Sequence, residues 1–296
     1  MSDKIRKAVI PAAGFGTRMY PATKAMKKEL LPIIDRDGRA KPIIQIIIEE
    51  AVSAGIEEIG IVVQESDRDL FHEVLKSPPR SELWAKLSPE NRKYSEYLTT
   101  LGDRLTILSQ TEQEGFGHAV YCTREWVGNE PFLLLLGDHV YTSALESSCA
   151  LQMVEVYQQQ QTSVIGITVM QADVIQKAGC VAGKWQTNKS ILNISEIYEK
   201  PTLEYARTNL KVSGMAEDDF LGVFGMYILE PNIFELLEAE IANNERFKGE
   251  FQLTTCLDKL KQQNGAIAYL VEGNYYDTGM PLFYRQAMID YYQNRR

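Results

Sequence analysis

Metal-binding and nucleophilic side chains are scarce in this sequence: three histidines and four cysteines among 296 residues. Cys122, Cys149, Cys180 and Cys256 lie far apart and form no CxxC pair. That excludes a zinc ribbon and a disulfide scaffold, and predicts free thiols in a reducing compartment. His72, His118 and His139 accompany no Gly-x-Ser-x-Gly elbow, so a serine nucleophile has nothing to be built from. Glycine and proline, 20 and 11 residues, are too few for a collagen-like or low-complexity chain. Positive charge is short as well: 31 Lys and Arg against 40 Asp and Glu leave a net charge of −9. Coating a nucleic acid takes a broad basic surface, so that partner is excluded. A small anionic ligand is not, because a few local cations suffice. No apolar run approaches the roughly 18 residues of a membrane span. The richest, Pro42 to Ile48, is broken by Gln45 and stops at Glu49-Glu50. The apolar start is interrupted by Pro11, Gly14, Gly16 and Arg18, unlike a signal peptide. A cytoplasmic protein with no membrane partner is expected.

What is present is ordinary globular composition, 45% hydrophobic and 24% charged. The length allows one large α/β domain or two smaller ones, and no linker or internal repeat divides it. Ala8-Val9-Ile10 reads as a buried strand feeding a glycine loop. Ile43, Ile44, Ile47, Ile48, Ala51 and Val52 recur at helical spacing, and Gly55 stops the helix. Ile59 to Val63 then reads as a strand, Asp67 to Lys76 as a helix, Leu105 to Leu108 as a strand and Gly117 to Val127 as a helix. Phe132-Leu133-Leu134-Leu135-Leu136 is apolar throughout and belongs at the centre of a sheet covered on both faces. A helix to about Gln161 and a strand at Val164 to Val169 continue the alternation. Beyond it, Cys180 to Trp185, Ile191 to Tyr198 and Gly222 to Leu229 read as strands joined by turns. Helices follow at Asn232 to Ala242, Gln252 to Gln262 and Leu282 to Tyr292, with a strand near Ala266 to Leu270. Residues 81 to 101, polar and without a strong period, read as a surface insertion. The βαβ rhythm of the first half predicts a mostly parallel sheet with ligands at the strand C-terminal ends.

The loop Ala12-Ala13-Gly14-Phe15-Gly16-Thr17-Arg18 follows the first strand directly. Small residues let backbone N–H groups close on a phosphate. A Rossmann fingerprint would need glycine where Met19 stands, and a Walker A loop would end Gly-Lys-Ser/Thr. A plain tight turn would explain the glycines alone. The cations argue for more: Arg18, Lys24, Lys27 and Lys28 crowd beside the loop in a net acidic chain, as a polyphosphate would require. Asp138 emerges from the apolar run through Gly137, and a buried carboxylate calls for a compensating cation. Capping a turn is the simpler alternative. Asp277, in Tyr275-Tyr276-Asp277-Thr278-Gly279, is a second candidate ligand. Two remote carboxylates without a histidine cluster suit a hard, oxygen-seeking ion such as Mg2+ rather than zinc. His118 and His139 lie near these residues and read as structural or supporting groups.

Lys7 to Ile33, with Ala12-Ala13-Gly14-Phe15-Gly16-Thr17-Arg18-Met19-Tyr20-Pro21-Ala22-Thr23-Lys24 and Lys28-Glu29-Leu30-Leu31-Pro32, closely resembles a family signature. It is that of the bacterial UTP–glucose-1-phosphate uridylyltransferases, among the sugar-1-phosphate nucleotidyltransferases. Lys41-Pro42-Ile43-Ile44-Gln45, Gly115-Phe116-Gly117-His118-Ala119, Glu199-Lys200-Pro201 and Phe251-Gln252-Leu253-Thr254 match further blocks in order. The resemblance implies an α/β, Rossmann-like, three-layer nucleotide-diphospho-sugar transferase fold of the GT-A-like kind, with a mixed, mostly parallel central sheet. One nucleotidyltransferase domain would span 1–296. Residues to about 170 would serve nucleotide and metal, and about 171–296 the sugar phosphate and C-terminal helices.

The activity implied is conversion of UTP and glucose 1-phosphate to UDP-glucose and pyrophosphate, by Mg2+-assisted in-line attack on the α-phosphorus, in a cytoplasmic homo-oligomer. Ala12, Ala13, Gly14, Gly16 and Thr17 would cradle the nucleotide, with Gln110 on the pyrimidine edge and Gly115 against the base. Asp138 and Asp277 would hold Mg2+. Gly179, Glu199 and Lys200 would bind the glucosyl phosphate, and Arg18, Lys28 and Lys200 would be catalytic. The chain departs from the family pattern at Glu114, at Leu136-Gly137-Asp138 and around Ala178-Gly179-Cys180. Those departures keep a transferase for dTTP or another hexose in view. A nucleotide-sugar-binding regulator without catalysis is the alternative of another class. The aromatic Phe283, Tyr284, Tyr291 and Tyr292 suit either a partner surface or the chain's own core.

Overall fold

The short apolar runs pair into one nine-stranded sheet in the computed structural model, which describes residues 4–263 and 265–293. In chain order the strands are β1 (Lys7–Pro11), β2 (Pro32–Ile34), β3 (Ala40–Pro42), β4 (Glu58–Gln64), β5 (Leu105–Gln110), β6 (Phe132–Leu135) and β7 (His139–Ser143). They continue with β8 (Ser163–Gln171), β9 (Gly179–Trp185), β10 (Ile191–Glu199), β11 (Asp219–Leu229), β12 (Ala266–Leu270) and β13 (Gly273–Asp277). The sheet order is β5-β4-β1-β6-β11-β8-β12-β10-β9, while β2–β3 and β7–β13 form separate two-stranded ribbons.

The run β5-β4-β1-β6 is parallel, as the βαβ rhythm predicts. The whole sheet is mixed rather than mostly parallel, with five of its nine pairings antiparallel. All five involve β10 or β11. A short turn joins β9 to β10, and a turn of that length allows only an antiparallel pair. β9 also pairs with β11, so the pairing of the second half runs β11-β8-β12-β10-β9 and back to β11.

Alternate residues of the central strands enter two cores. Ala8, Ile10, Leu133 and Leu135 join Ile43, Ile44, Ile47 and Met153 on one face; Val9, Phe132 and Leu134 join Val120, Phe234 and Leu237 on the other. Phe132 stacks on Phe234 with ring centroids 5.4 Å apart. Each large apolar side chain so buried contributes about 1.5–3 kcal/mol. The all-apolar run therefore lies at the sheet's centre, as expected.

Other elements differ from expectation. The helix over 117–127 is two short helices, Phe116–Tyr121 and Arg124–Val127. The segment 81–101 forms helices Ser81–Lys86 and Pro89–Asp103. The second starts at Ser88, whose Oγ accepts the Asn91 N–H at 3.2 Å, and buries Ser95, Leu101 and Gly102, so it is more than a surface decoration. Helix Leu203–Asn209 lies where only strands and turns were expected, and the β7–β13 ribbon was not anticipated. Tyr284 and Tyr291 pack on the chain's own core; the Tyr292 side chain lies outside the described ones. The four cysteines are free thiols, three of them buried. No helix among the described residues is long and apolar enough to cross a membrane.

Helix Ile43–Ser53 carries Glu50, whose Oε1 accepts the Ala150 N–H at 2.8 Å in the first turn of helix Cys149–Gln160. Burial pushes the Glu50 carboxyl up to about 7, against the pull of the Ala150 and Cys149 amides and Arg36. The folded state then holds a proton that the unfolded chain releases above about 4.5, so this group lowers stability as pH rises from there through about 7. Glu50→Gln keeps an acceptor for Ala150 and removes the charge. It is expected to stabilise the protein at pH 8 by about 1–3 kcal/mol, with little effect at pH 5. Thermal melts at the two pH values check this; the gap narrows without closing, because Glu29, also raised to about 7, titrates in the same direction.

Candidate active site

The loop after β1 is fixed by backbone contacts. The Ala12 N–H donates to Val62 O at 2.7 Å, and the Gln64 side-chain amide donates to Ala13 O at 2.8 Å. Gly16 has φ +67°, and a Cβ there would lie 2.8 Å from Thr23 Cγ2. Lys28, in the single turn Lys28–Leu30, rises beneath the loop, its Cε 3.5 Å from where a Gly14 Cβ would be. Across from it, the chain leaving β6 passes through a glycine because nothing larger fits: a Cβ on Gly137 would lie 2.4 Å from Pro11 O. This close approach delivers Asp138 to the loop. The resulting cavity of about 430 Å³ is lined by Gly14, Gly16, Thr17, Lys28, Gln110 and Asp138, among others. Gly115, with φ +114°, lines it too, and the Gln110 amide donates to Gly115 O at 3.2 Å. The loop holding Gly115 is strapped from outside: Phe251 N–H donates to Glu114 O at 2.8 Å, and Gly117 N–H to Phe251 O at 2.9 Å.

The unforeseen ribbon brings the two carboxylates together. β7 and β13 run antiparallel with Asp277 opposite His139. Thr278 donates both its N–H and its hydroxyl to Asp138 O, at 2.8 and 2.6 Å, and Gly279 N–H donates to Asp277 Oδ1 at 3.0 Å. Lys28 Nζ lies 2.5 Å from Asp138 Oδ2, and Arg18 pairs with Asp277 at 3.3 Å. Burial works against charge on both Asp138 and Lys28, yet their contact outweighs it. With help from His139 Nδ1 at 3.0 Å, Asp138 is held far below the usual carboxylate range, and Lys28 is raised above an ordinary lysine. Glu29 is fully buried beside them, and burial pushes it up to about 7 despite Lys28.

One ligand atom each from Asp138, His139 and Asp277 lie within 4.8 Å of one another. Two carboxylates at that separation fit a divalent cation, and predominantly oxygen donors fit a hard one. Lys28 and Arg18 supply the compensating charge in this structure.

A second cavity, about 780 Å³, adjoins the first and shares Arg18, Phe116, Leu136, Asp138 and Glu250 with it. Its far wall comes from the β9–β10 hairpin, where Gly179 sits opposite Glu199. A Cβ on Gly179 would lie 3.2 Å from Glu199 Oε2, which accepts the Thr254 hydroxyl at 2.7 Å. Lys200 turns the chain with φ +48°, and its Nζ stays half exposed in the cavity, 3.2 Å from Glu199 Oε1.

The nucleotidyl transferase family profile matches residues 7–294 of this chain. The chain belongs to that family. UTP–glucose-1-phosphate uridylyltransferase 2 of Staphylococcus saprophyticus is 35% identical over 297 residues, covering 97% of this chain and 92% of that protein. A crystal structure of apo UDP-glucose pyrophosphorylase superposes with a TM-score of 0.82 at 32% identity, covering 99% of this chain and all of that one. A UDP-glucose pyrophosphorylase solved with UDP-glucose gives 0.78 at 31% identity, over 98% of this chain and 100% of that one.

Most residues singled out in this nucleotidyl transferase line one of the two cavities. Ala13, Gly14, Gly16, Thr17, Lys28, Gln110 and Gly115 face the smaller, Gly179, Glu199, Lys200 and Asp277 the larger, and Arg18 and Asp138 both. Ala12 is instead buried in the core beneath the loop. Lys24 and Lys27 line neither cavity, and Lys27 pairs with Asp67 at 2.5 Å. Three contributors were missed: His139 as a candidate ligand, Glu29 beside Lys28, and Gly279. The signal for Gly279 lay in its place two residues after Asp277, since a Cβ there would lie 2.6 Å from Asp138 Oδ2 and 3.0 Å from Asp277 Oδ1. Gly279→Ala is expected to keep the melting temperature yet lower nucleotidyl transfer by about 10²-fold, because small displacements of reacting groups cost that much. Unchanged turnover in steady-state assays would show that the two carboxylates tolerate being pushed apart.

Proposed function

We propose that this protein joins UTP to glucose 1-phosphate, releasing pyrophosphate and forming UDP-glucose. The observation that carries this reading is the meeting of two cavities at Asp138 and Arg18, one floored by a glycine loop and Lys28, the other walled by Glu199 and Lys200. A reaction between two bound anions needs that arrangement: separate compartments, and positive charge at their junction. The names of the relatives support the choice of substrates.

In this reading Ala13, Gly14, Gly16 and Thr17 hold the nucleotide, and Arg18 and Lys28 its triphosphate. Gln110 and Gly115 take the base. Gly179, closed against Glu199, leaves room for the sugar, Glu199 accepts its hydroxyls, and Lys200 holds its phosphate. That phosphate is a dianion at neutral pH, so it attacks the α-phosphorus without a general base; the bond to the β-phosphate oxygen breaks on the opposite side. The chain's task is to orient the two anions and offset their repulsion. Mg2+ on Asp138 and Asp277, with His139 beside them, would add Lewis-acid stabilisation of the transferring phosphoryl group.

Glu114 departs from the family pattern, but its carboxylate pairs with Arg246, so it adds little negative charge to the base pocket. Residues to about 170 serve the nucleotide and the remainder the sugar phosphate, within a single domain over 1–296. The division is not strict: Glu250 and Gly279 of the second half line the smaller cavity, and Asp277 returns to stand beside Asp138. A cytoplasmic homo-oligomer completes the reading; exposed Leu282, Met288 and Ile289 on the helix Pro281–Gln293 support the self-association.

A panel of nucleoside triphosphates and sugar 1-phosphates, read by pyrophosphate release, tests the proposal. UTP with glucose 1-phosphate is expected to give the highest kcat/KM, and Asp138→Ala and Lys200→Ala each to lose roughly 10²–10³ in kcat, the half-exposed Lys200 with melting temperature kept and the largely buried Asp138 with a lower one. Preference for dTTP or another hexose would move the assignment to a sister activity. No turnover with any pair, despite nucleotide-sugar binding, would identify a regulator.

A further inference from the structure

Glu29 is the anomaly of this site. It is fully buried, and among the described residues neither carboxylate oxygen has a partner in good hydrogen-bond geometry, its own backbone N–H and Lys28 giving only partial compensation. Among the described residues its cationic partner is Lys28 Nζ, 3.3 Å away, while Asp138 repels it. A buried carboxylate left this way costs stability, and an uncharged residue of the same shape would serve packing better. Packing therefore does not account for it.

Lys28 stands between two carboxyl groups, Asp138 and Glu29. It is closer to Asp138, at 2.5 Å, and the oxygen it touches there, Oδ2, belongs to a carboxylate that offers a ligand atom to a cation. An ammonium and a divalent cation on one carboxylate repel each other. A cation at Asp138 thus displaces Lys28 unless the lysine has a second counterion out of the cation's reach. Glu29 meets that requirement: it belongs to the same turn as Lys28, and it is not among the residues that cluster as ligands.

We propose that Glu29 is a positioning residue, which keeps the Lys28 ammonium beside Gly14 once a cation has taken Asp138. The inference rests on the assignment of Asp138 to a divalent cation. It explains how one lysine serves first as the carboxylate's counterion and then as the phosphate's. Without Glu29, Lys28 stays on Asp138 and competes with the cation, or leaves the cleft floor when the cation binds.

The full-length protein and its Glu29→Gln, Lys28→Ala and Lys28→Ala/Glu29→Gln variants distinguish this from a structural role. Mn2+ alone is titrated into nucleotide-free protein and followed by electron paramagnetic resonance, with thermal melts alongside. Glu29→Gln is expected to melt no lower than the unaltered protein and to bind Mn2+ about 10-fold more weakly, the size of effect seen for groups that orient metal ligands. In the Lys28→Ala background, Glu29→Gln is expected to leave Mn2+ affinity unchanged, because the competitor is gone. In turnover, Glu29→Gln is expected to raise the KM for UTP and the Mg2+ requirement more than it lowers kcat, with Glu29→Asp restoring part of the loss. Unchanged Mn2+ affinity in Glu29→Gln, an equal effect with and without Lys28, or a lowered melting temperature with metal affinity intact would each overturn the proposal. Protein that binds no Mn2+ would overturn it together with its premise. Tight Mn2+ binding without UDP-glucose formation would overturn the substrate assignment alone.

Discussion

Two cations, Lys28 and Arg18, are held against two carboxylates, Asp138 and Asp277, at the seam between a 430 Å³ and a 780 Å³ cavity. In a chain of net charge −9 this concentration of positive charge is local, and the backbone is shaped to allow it. Gly137 lets the end of β6 touch the end of β1, and Gly279 leaves space between the carboxylates. The Lys28–Asp138 pair, close and sheltered, interacts far more strongly than the same charges in water, whereas Arg18 stays exposed. The arrangement also holds ready, in the folded protein, the groups that two anionic substrates would need.

The topology explains how residues so distant in sequence meet. The parallel strands β4, β1 and β6 end together, which places Gln64, the glycine loop and Asp138 side by side. The antiparallel strands do the rest. β9 and β10 form a hairpin whose open end supplies Gly179 and Glu199, and β13 runs back along β7 to return Asp277 to the first half. A wholly parallel sheet would have left the sugar-side residues without this second platform.

Much of this was legible beforehand. The apolar runs at Ala8, Ile59 and Phe132 announce central strands because they are apolar on both faces, and the loop cations stand out against an acidic background. Gly179, Glu199 and Lys200 were reached only through the family resemblance, since nothing local marks a hairpin end as a sugar site. The β7–β13 ribbon escaped notice because Gly273-Asn274-Tyr275-Tyr276-Asp277 has neither an apolar run nor strict alternation; it is held by pairing and by the stacking of His139 on Tyr275. Glu29 escaped for a different reason. In sequence it is one glutamate among many, and its complete burial exists only once Lys28, Asp138 and the loop are assembled.

The most direct measurement is anomalous diffraction from crystals grown with Mn2+ and UDP-glucose. The account predicts one manganese peak between Asp138 and Asp277, the diphosphate beside Gly14 and Lys28, and the glucose ring against Glu199. A peak elsewhere, or a sugar lying outside the cavity lined by Glu199 and Lys200, would contradict it.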